Sequence, residues 1–222
     1  MGTELLPWVF TSGWASGINS YAVVLVMGLL SRFAHVGAIP QVLARPDVLA
    51  AAAVLFVVEM VADKIPYLDS AWDTIHTFVR PAVGATLGYL LAHDQTSLDA
   101  AFSAAAGGFS ALASHLVKAG VRAGINTSPE PASNIAVSTA EDVTVAGVVS
   151  LATVHPWLSA SIAAVLLLLG TVAVILVLRR LRGFKHRYDA WGDRAGLVPG
   201  SAGSSASSAD RGADPTAPTA SP

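Results

Sequence analysis

The chain has 222 residues, of which 53% are hydrophobic and 13% are charged. Soluble domains of this size draw roughly a quarter of their residues from Asp, Glu, Lys and Arg, so the composition argues against a soluble globule and predicts an all-α integral membrane protein. The basic cluster from Arg179 to Arg187 follows directly on a long apolar run, which is typical of a membrane anchor and argues against nucleic acid as a partner. The absence of cysteine excludes disulfides, thiolate metal sites and a cysteine nucleophile.

The first predicted helix lies in the uncharged stretch from Leu5 to Ser31. Its run from Ser20 to Leu30 is almost wholly apolar, which predicts one helix that spans the membrane. Asn19 lies inside this stretch, where a hydrogen bond to another helix is the more common role of a polar amide. Residues 1–10 contain no Lys or Arg, so a cleavable signal peptide is not expected.

A second helix is predicted between Pro46 and Pro66, because proline is tolerated in a first helical turn and ends a helix elsewhere. Its apolar run from Val48 to Val58 covers only about half of a bilayer. A spanning helix must therefore continue to Ala62 and carry Glu59 inside the membrane.

Glu59 is the first candidate site residue. Asp63 lies one helical turn further on, and Lys64 follows directly. A charged residue inside a span costs about 2.5 to 3.5 kcal/mol on insertion scales and usually faces a partner or a water-filled cavity. Two interpretations are open for Glu59: a structural ion pair with Arg80 or Lys118, or a proton or cation site. Asp63 and Lys64 can also simply mark the cytoplasmic end of the helix.

The densest set of ionisable residues opens the third predicted helix. Asp69, Asp73, His76 and Arg80 are spaced so that all four share one helical face. Two carboxylates and an imidazole are suitable ligands for a divalent cation, so Asp69, Asp73 and His76 are the metal candidates. The same pattern also fits the solvated face of a surface helix.

The apolar run from Pro81 to Ala92 completes the third helix, which is expected to kink at its proline. Helix 4 is predicted from about Ser97 to Gly124. His115, Lys118 and Arg122 share one face of its last third. These cations either extend to the membrane interface or join a polar network inside the protein.

Residues 126–134 (NTSPEPASN) are predicted to form a loop because of their Pro, Ser and Asn content. Ser138 and Glu141 then have the spacing of a capping box, so helix 5 is expected to begin close to them. Glu141 and Asp142 would lie in its first turn. Together with the cations of helix 4, these carboxylates could form a network that lines a cavity.

The apolar run from Val143 to Leu178 would be about 54 Å long as one helix, which exceeds the thickness of a bilayer. The break is expected at His155 and Pro156. This division predicts a short helix 5 over 139–154 and a full-length helix 6 over 157–178.

Residues 1–188 are therefore predicted to form a transmembrane domain of about six helices. Residues 189–222 lack apolar periodicity and are predicted to form a disordered cytoplasmic tail. In this arrangement most Lys and Arg residues, including the cluster Arg179–Arg194, lie on one side, and only Arg32 and Arg45 lie on the other. By the positive-inside rule, both termini are expected in the cytoplasm, with the chain in the plasma membrane.

A short internal echo suggests duplication. The sequence Gly-Ile-Asn-Ser at 17–20 is repeated as Gly-Ile-Asn-Thr at 124–127. Two halves of three helices each would be related as inverted repeats, a common plan of transporters.

The run from Asp63 to Pro81 has the pattern DKIPxxDxxWDxxHTxxRP. It resembles a bacterial membrane family known as domain of unknown function 4126. Gly17 and Asn19 are similar to that family too, as are residues 115–122 and the later residues Asn134, Glu141 and Asp142. The resemblance covers about residues 12–178 and implies a compact helical membrane domain without an assigned activity. The charged clusters belong to the family pattern, which favours a functional site.

The leading hypothesis is a small transporter or channel for an ion or small solute, with a charged cavity on the cytoplasmic side. The first alternative is a membrane enzyme that acts on a prenyl or lipid phosphate, in which Mg²⁺ would be the cofactor. The second is a membrane scaffold or assembly factor. No cofactor is expected outside the enzyme alternative, and a homo-oligomer is left open. The candidate site residues are Asn19, Glu59, Asp63, Lys64, Asp69, Asp73, His76, Arg80, His115, Lys118, Arg122, Glu141 and Asp142.

Overall fold

A computed structural model of the chain describes the backbone of residues 4–65, 68–125 and 131–194, and the side chains within 4–65, 68–125 and 132–180. In this part of the chain the fold is entirely helical, without strands. A short 3-10 turn, Gln41–Ala44, precedes the third α-helix. The helices are α1 Leu5–Ile18, α2 Ser20–Phe33, α3 Pro46–Ala62, α4 Leu68–Leu91, α5 Ser97–Ile125, α6 Pro131–Ala152 and α7 Pro156–Arg194.

The helices up to Leu176 form one compact unit, and the rest of α7 belongs to a separate one. Residues 189–194 of the predicted tail are still helical, and its remainder lies outside the described residues. The predicted Pro66 helix end also lies outside them.

Among the described residues, three helices are long and apolar enough to cross a membrane: α5, residues 132–152 of α6 and residues 156–180 of α7. The outer surface carries large exposed apolar side chains such as Phe78, Phe109 and Leu168, whereas many of the buried residues are polar or charged. An apolar exterior around a polar interior reverses the usual distribution in soluble proteins. The prediction of an all-helical membrane protein is confirmed.

The predicted single helix 1 is wrong, because the chain breaks at Asn19 into α1 and α2. Asn19 has extended backbone angles, φ −148° and ψ 101°, and its side-chain oxygen accepts a hydrogen bond of 2.8 Å from the Ala22 N–H. Asparagine is a favourable N-cap because its side chain satisfies a backbone donor that a helix start leaves unpaired. The amide thus ends one helix and begins another.

The other helix predictions are mostly confirmed. α3 begins at Pro46 and carries Glu59 in its last turn, α5 ends within one residue of the expected position, and the break at His155 and Pro156 is present. The start of helix 5 is wrong. α6 begins at Pro131, so residues 131–134 and the expected capping box lie inside a helix, because proline fits a first helical turn.

α1 and α5 run parallel and pack along small residues. Gly13 of α1 lies against Gly107 of α5, and Gly17, one turn later, lies against Ser114. Corresponding helices of inverted repeats run in opposite directions. Because the Gly-Ile-Asn echo lies at the ends of two parallel helices, it does not relate an inverted pair.

α4 packs antiparallel to α5. Gly84 lies against Gly107, and Gly88, one turn later, lies against Ser103. The backbone of each helix approaches the other so closely because no side chains separate them.

α7 runs parallel to α5 within the compact unit. Val117 lies against Gly170, and Gly120 lies against Val174. The starts of α1, α5 and α7 are therefore at the same end of the bundle. We call it end A and the opposite end, at the turn of residues 63–65, end B.

α1 and α2 form a helical hairpin with its tip at Asn19. Gly28, in the second half of α2, lies against Leu43 and Leu49 beside the start of α3, so α2 returns toward end A. Each arm has 14 residues and spans about 21 Å, whereas α5 has 29 residues and spans about 43 Å. The tip therefore lies inside the bundle and short of end B.

Replacing Gly84 with alanine is expected to destabilise the protein. A Cβ atom there would lie 2.6 Å from the Gly107 carbonyl oxygen and 2.6 Å from Ala111 Cβ. Overpacking of this kind costs about 1–3 kcal/mol. The matched control is Gly147→Ala in α6, where a Cβ meets no described atom within 4 Å. Thermal unfolding in detergent micelles measures the difference, and equal midpoints for the two variants would contradict the close packing.

Candidate functional site

Charged side chains from four helices meet inside the bundle. Their positions repeat every three or four residues along each helix, so each helix directs its charges inward from one face. The side chains are at most 6% exposed, except that of Glu141 at 16%. We call this set the ion-pair network: Glu59 and Asp63 of α3, Asp69, Asp73 and Arg80 of α4, Lys118 and Arg122 of α5, and Glu141 of α6.

Arg80 is the central cation of this network. Its Nη2 atom lies 2.7 Å from Glu59 Oε1 and 3.1 Å from Asp73 Oδ1. Its Nη1 atom donates to the Gly17 carbonyl oxygen at 3.3 Å and to His115 Nδ1 at 2.7 Å. Since Arg80 lies near the middle of the 24-residue α4, these contacts are deep in the bundle.

Lys118 is the next cation of the network after Arg80 in the direction of end B. Its ammonium group donates to Asp63 Oδ2 at 2.6 Å and to the Ile18 carbonyl oxygen at 2.9 Å. Glu141 Oε2 lies at 3.6 Å and Glu59 Oε1 at 4.0 Å from the same nitrogen. Lys118 therefore links α3, α5 and α6 to the end of α1.

Arg122 completes the network toward end B. It donates to the Asp63 carbonyl oxygen at 2.6 Å and to Glu141 Oε2 at 2.8 Å. Asp63 Oδ2 lies 3.3 Å and Asp69 Oδ2 lies 3.7 Å away. Asp63 thus compensates two cations, one on each side of it.

The break at Asn19 belongs to the site. The last carbonyl groups of a helix have no partner within the helix. Two of them at the end of α1, those of Gly17 and Ile18, accept from cations of the network. The side-chain amide of Asn19 donates to Asp142 Oδ1 at 2.9 Å, which connects the hairpin tip to α6.

His115 is held in one tautomer. A guanidinium group only donates hydrogen bonds, so the Nδ1 atom that faces Arg80 must accept. Its Nε2 atom lies 3.0 Å from Thr77 Oγ1, to which it donates when the ring is neutral. Protonation of Nδ1 would break the contact with Arg80.

His76 lies in an aromatic group instead. Its Nδ1 atom is 2.9 Å from the Trp72 carbonyl oxygen, and its ring stacks on the Trp72 indole with centroids 4.7 Å apart. Its Nε2 atom is 3.2 Å from the Tyr21 hydroxyl group. Because Nδ1 faces an acceptor and must donate, the neutral ring accepts from Tyr21.

The predicted metal ligands do not come together. Asp69 contacts Ser70 and Arg122, Asp73 contacts Arg80, and His76 has the aromatic partners described above. Within the described residues no group of three or more His, Asp and Glu side chains is placed to hold a metal ion.

Lys64 lies outside the network. Its ammonium group donates to the Met60 carbonyl oxygen at 3.0 Å and to Ser138 Oγ at 3.4 Å. Four further contributors were not predicted from the sequence: the carbonyl groups of Gly17 and Ile18 and the hydroxyl groups of Tyr21 and Thr77. For the two carbonyl groups the sequence offered one signal, the polar residue Asn19 in an otherwise uncharged run.

Two cavities border the network on different sides. One, of about 200 Å³, is lined by Asp73 and Arg122 together with the hydroxyl residues Ser70, Thr74 and Thr77. The other, of about 260 Å³, has a mostly apolar wall and includes Lys118 and Glu141. Each cavity is therefore lined by one cation and one carboxylate of the network.

Fold and site together define a class: a helical membrane protein whose interior holds a network of ion pairs, some of which line cavities. Over residues 6–176 the chain matches the family described as a domain of unknown function (DUF4126), and it belongs to that family. This match confirms the resemblance noted in the sequence. No curated protein and no solved structure matches the chain.

Replacing Asp63 with asparagine is expected to destabilise the fold. The change leaves Lys118 and Arg122 without their shared carboxylate, and breaking a buried pair costs about 3–5 kcal/mol. The control is Asp47→Asn, which removes a pair with Arg45 whose side chains are 63% and 61% exposed. Such a surface pair contributes about 0–1 kcal/mol. Thermal unfolding in detergent compares the variants, and a loss of similar size in both would contradict the assigned role of Asp63.

Proposed function

We propose that this protein is a small membrane transporter or channel that passes an ion or a small polar solute through the ion-pair network. The observation that carries the proposal is that charged members of the network line two cavities, with Asp73 and Arg122 at one and Lys118 and Glu141 at the other. A solute that enters either cavity meets charged side chains directly.

The energetic cost of the network supports a functional role. Ionisable groups inside a membrane are expensive and typically mark pathways for ions, protons or substrates. Well-packed apolar residues of similar volume are often as stable as a buried ion pair or more so. Stability alone therefore gives little reason to bury Glu59, Arg80 and Lys118 together.

The hairpin of α1 and α2 adds a second argument. Transporters commonly place broken helices at their binding sites, where freed carbonyl groups face the cations. Here the carbonyl groups of Gly17 and Ile18 face Arg80 and Lys118. A movement of the hairpin tip would change the contacts of both cations at once.

For the membrane topology we propose that α3 to α7 cross the bilayer and that α1 and α2 enter and leave it at end A. Within the compact unit α7 runs from end A toward end B, and in the sequence the basic cluster that begins at Arg179 directly follows its apolar run. By the positive-inside rule end B is cytoplasmic, and Glu4 then lies on the outside. This topology replaces the expectation of six spans with both termini in the cytoplasm.

A second candidate is an enzyme that acts on a prenyl or lipid phosphate. The cavity of about 260 Å³ favours it, because its apolar wall fits a hydrocarbon chain and Lys118 lies beside it. The partners of the carboxylates favour transport instead. Glu59 pairs with Arg80 at 2.7 Å and Asp63 pairs with Lys118 at 2.6 Å, so cations of the protein already occupy one oxygen of each carboxylate.

Liposomes containing the purified protein test the transport proposal. Wild-type protein is expected to move at least one ion or polar solute of a broad panel, and Asp73→Asn is expected to slow this movement at least tenfold, because Asp73 joins a cavity to Arg80. Asp94→Asn, whose side chain is 82% exposed, is the control and should keep wild-type flux. A panel without any flux, or equal flux in both variants, would refute the proposal.

Single cysteines test the topology, since the natural chain has none. A membrane-impermeant maleimide added to intact cells is expected to label Glu4→Cys and Gln41→Cys, and to label Ile65→Cys only after permeabilisation. Gln41 and Ile65 are the references for the two ends. If Glu4→Cys behaved like Ile65→Cys, α1 and α2 would together cross the membrane, and the hairpin topology would be wrong.

A further inference from the structure

Negative charge exceeds positive charge in the ion-pair network. Within the described residues its five carboxylates face three cations, and His115, whose Nδ1 atom accepts from Arg80, adds no positive charge. An uncompensated charge in a low-dielectric interior is so costly that the group usually takes up or loses a proton. At least one carboxylate of the described network is therefore a candidate to hold a proton.

Glu59 is the most deeply buried of these candidates with an oxygen left over. The residue is fully buried, and its Oε1 atom is occupied by Arg80. Within the described part of the chain, its Oε2 atom has no hydrogen-bond partner. A charged carboxylate oxygen without a donor carries a large desolvation cost, whereas a neutral carboxylic acid carries far less.

Asp73 explains why a second negative charge is unfavourable at this point. Glu59 and Asp73 both face Arg80 Nη2, at 2.7 and 3.1 Å, so one guanidinium nitrogen lies between two carboxylates. Like charges that share a site favour protonation of one of them. Asp73 also lines a cavity, whereas Glu59 does not. Of the two carboxylates, Glu59 has less access to solvent and is therefore the more favourable site for a proton.

The other groups around Glu59 do not supply the missing compensation. Lys118 is 4.0 Å from Glu59 Oε1 but only 2.6 Å from Asp63 Oδ2, so it serves Asp63 first. His115 accepts from Arg80 and adds no positive charge. Within the described residues, the titratable or charged groups around Glu59 and Arg80 are Tyr21 of α2, Asp63 directly after α3, Asp73 and His76 of α4, and His115 and Lys118 of α5.

We propose that Glu59 holds an exchangeable proton on its carboxyl group, and that the proton is the ion, or one of the ions, that the network passes. The second half of this statement rests on the proposed transport function. When the proton leaves, the O–H bond of Glu59 breaks, the proton goes to solvent by way of the cavity at Asp73, and the network gains one negative charge. Uptake reverses each change.

Infrared spectroscopy of the protein in lipid tests the proton site. A protonated carboxylic acid has a carbonyl stretching band apart from those of carboxylates, and this band shifts in D₂O when the proton exchanges. Wild-type protein at neutral pH is expected to show the band, and Glu59→Gln is expected to lose it. Glu141→Gln is the matched control within the network, because Glu141 contacts both Arg122 and Lys118, and this variant is expected to keep the band.

Stability provides a second measurement. Glutamine resembles a neutral glutamic acid in shape and charge, so Glu59→Gln is expected to unfold near the wild-type temperature at neutral pH. If Glu59 were a carboxylate, the variant would leave Arg80 short of compensation and would lose stability as Asp63→Asn does. Absence of the band in wild-type protein, its persistence in Glu59→Gln, or a large loss of stability in that variant would overturn the proton site.

Measurement of proton flux distinguishes a failure of the proposed proton site from a failure of the proposed transport function. Liposomes with wild-type protein are expected to dissipate an imposed pH gradient, and those with Glu59→Gln are expected to hold it. If the infrared band is present but no gradient is dissipated, the proton site stands and its role in transport is refuted. Flux of another ion without the band would support transport and refute the proton site.

Discussion

The guanidinium group of Arg80 is fully buried near the middle of α4, and the surrounding helices are arranged to compensate it. An arginine cannot become neutral by losing its proton, so acceptors have to surround it. They come from the end of α1, from Glu59 of α3, from Asp73 one to two turns earlier in α4, and from His115 of α5. The other buried carboxylates of the network extend this arrangement, because they in turn are compensated by the cations Lys118 and Arg122.

Close helix packing makes these contacts geometrically possible. A main-chain carbonyl group reaches a buried cation only where its helix lies close to the neighbouring one. Glycines of α1 lie directly against α5, and Ser114 Oγ donates to the Trp14 carbonyl oxygen at 2.7 Å. Steric and electrostatic constraints thus act on the same short helix. The hairpin of α1 and α2 is held by small-residue contacts on one side and by its carbonyl groups at the tip.

Much of this site could be predicted from helical periodicity. The spacing of Asp69, Asp73 and Arg80 places them on one face, as does the spacing of Lys118 and Arg122, and these faces are the ones that meet. The helix break at Pro156 could also be predicted from the sequence, because a proline inside a helix removes a backbone hydrogen bond. The division of the first predicted helix at Asn19 could not be predicted, because a single polar residue scarcely changes the hydropathy of a long apolar run. The carbonyl groups that precede it accept from cations of α4 and α5, which are distant in the chain.

The sequence by itself determined the membrane class, the family, most helix bounds and the inward-facing side of each charged helix, because these follow from composition, motif and the 3.6-residue period of the α-helix. Only the tertiary structure decided the partners. Asp63 pairs with Lys118 and Arg122 rather than with the adjacent Lys64, and His76 turns to Tyr21 and Trp72 rather than to the neighbouring carboxylates. The physical reason is that a helix sets the direction of its side chains, whereas which charges meet depends on how separate helices approach and cross.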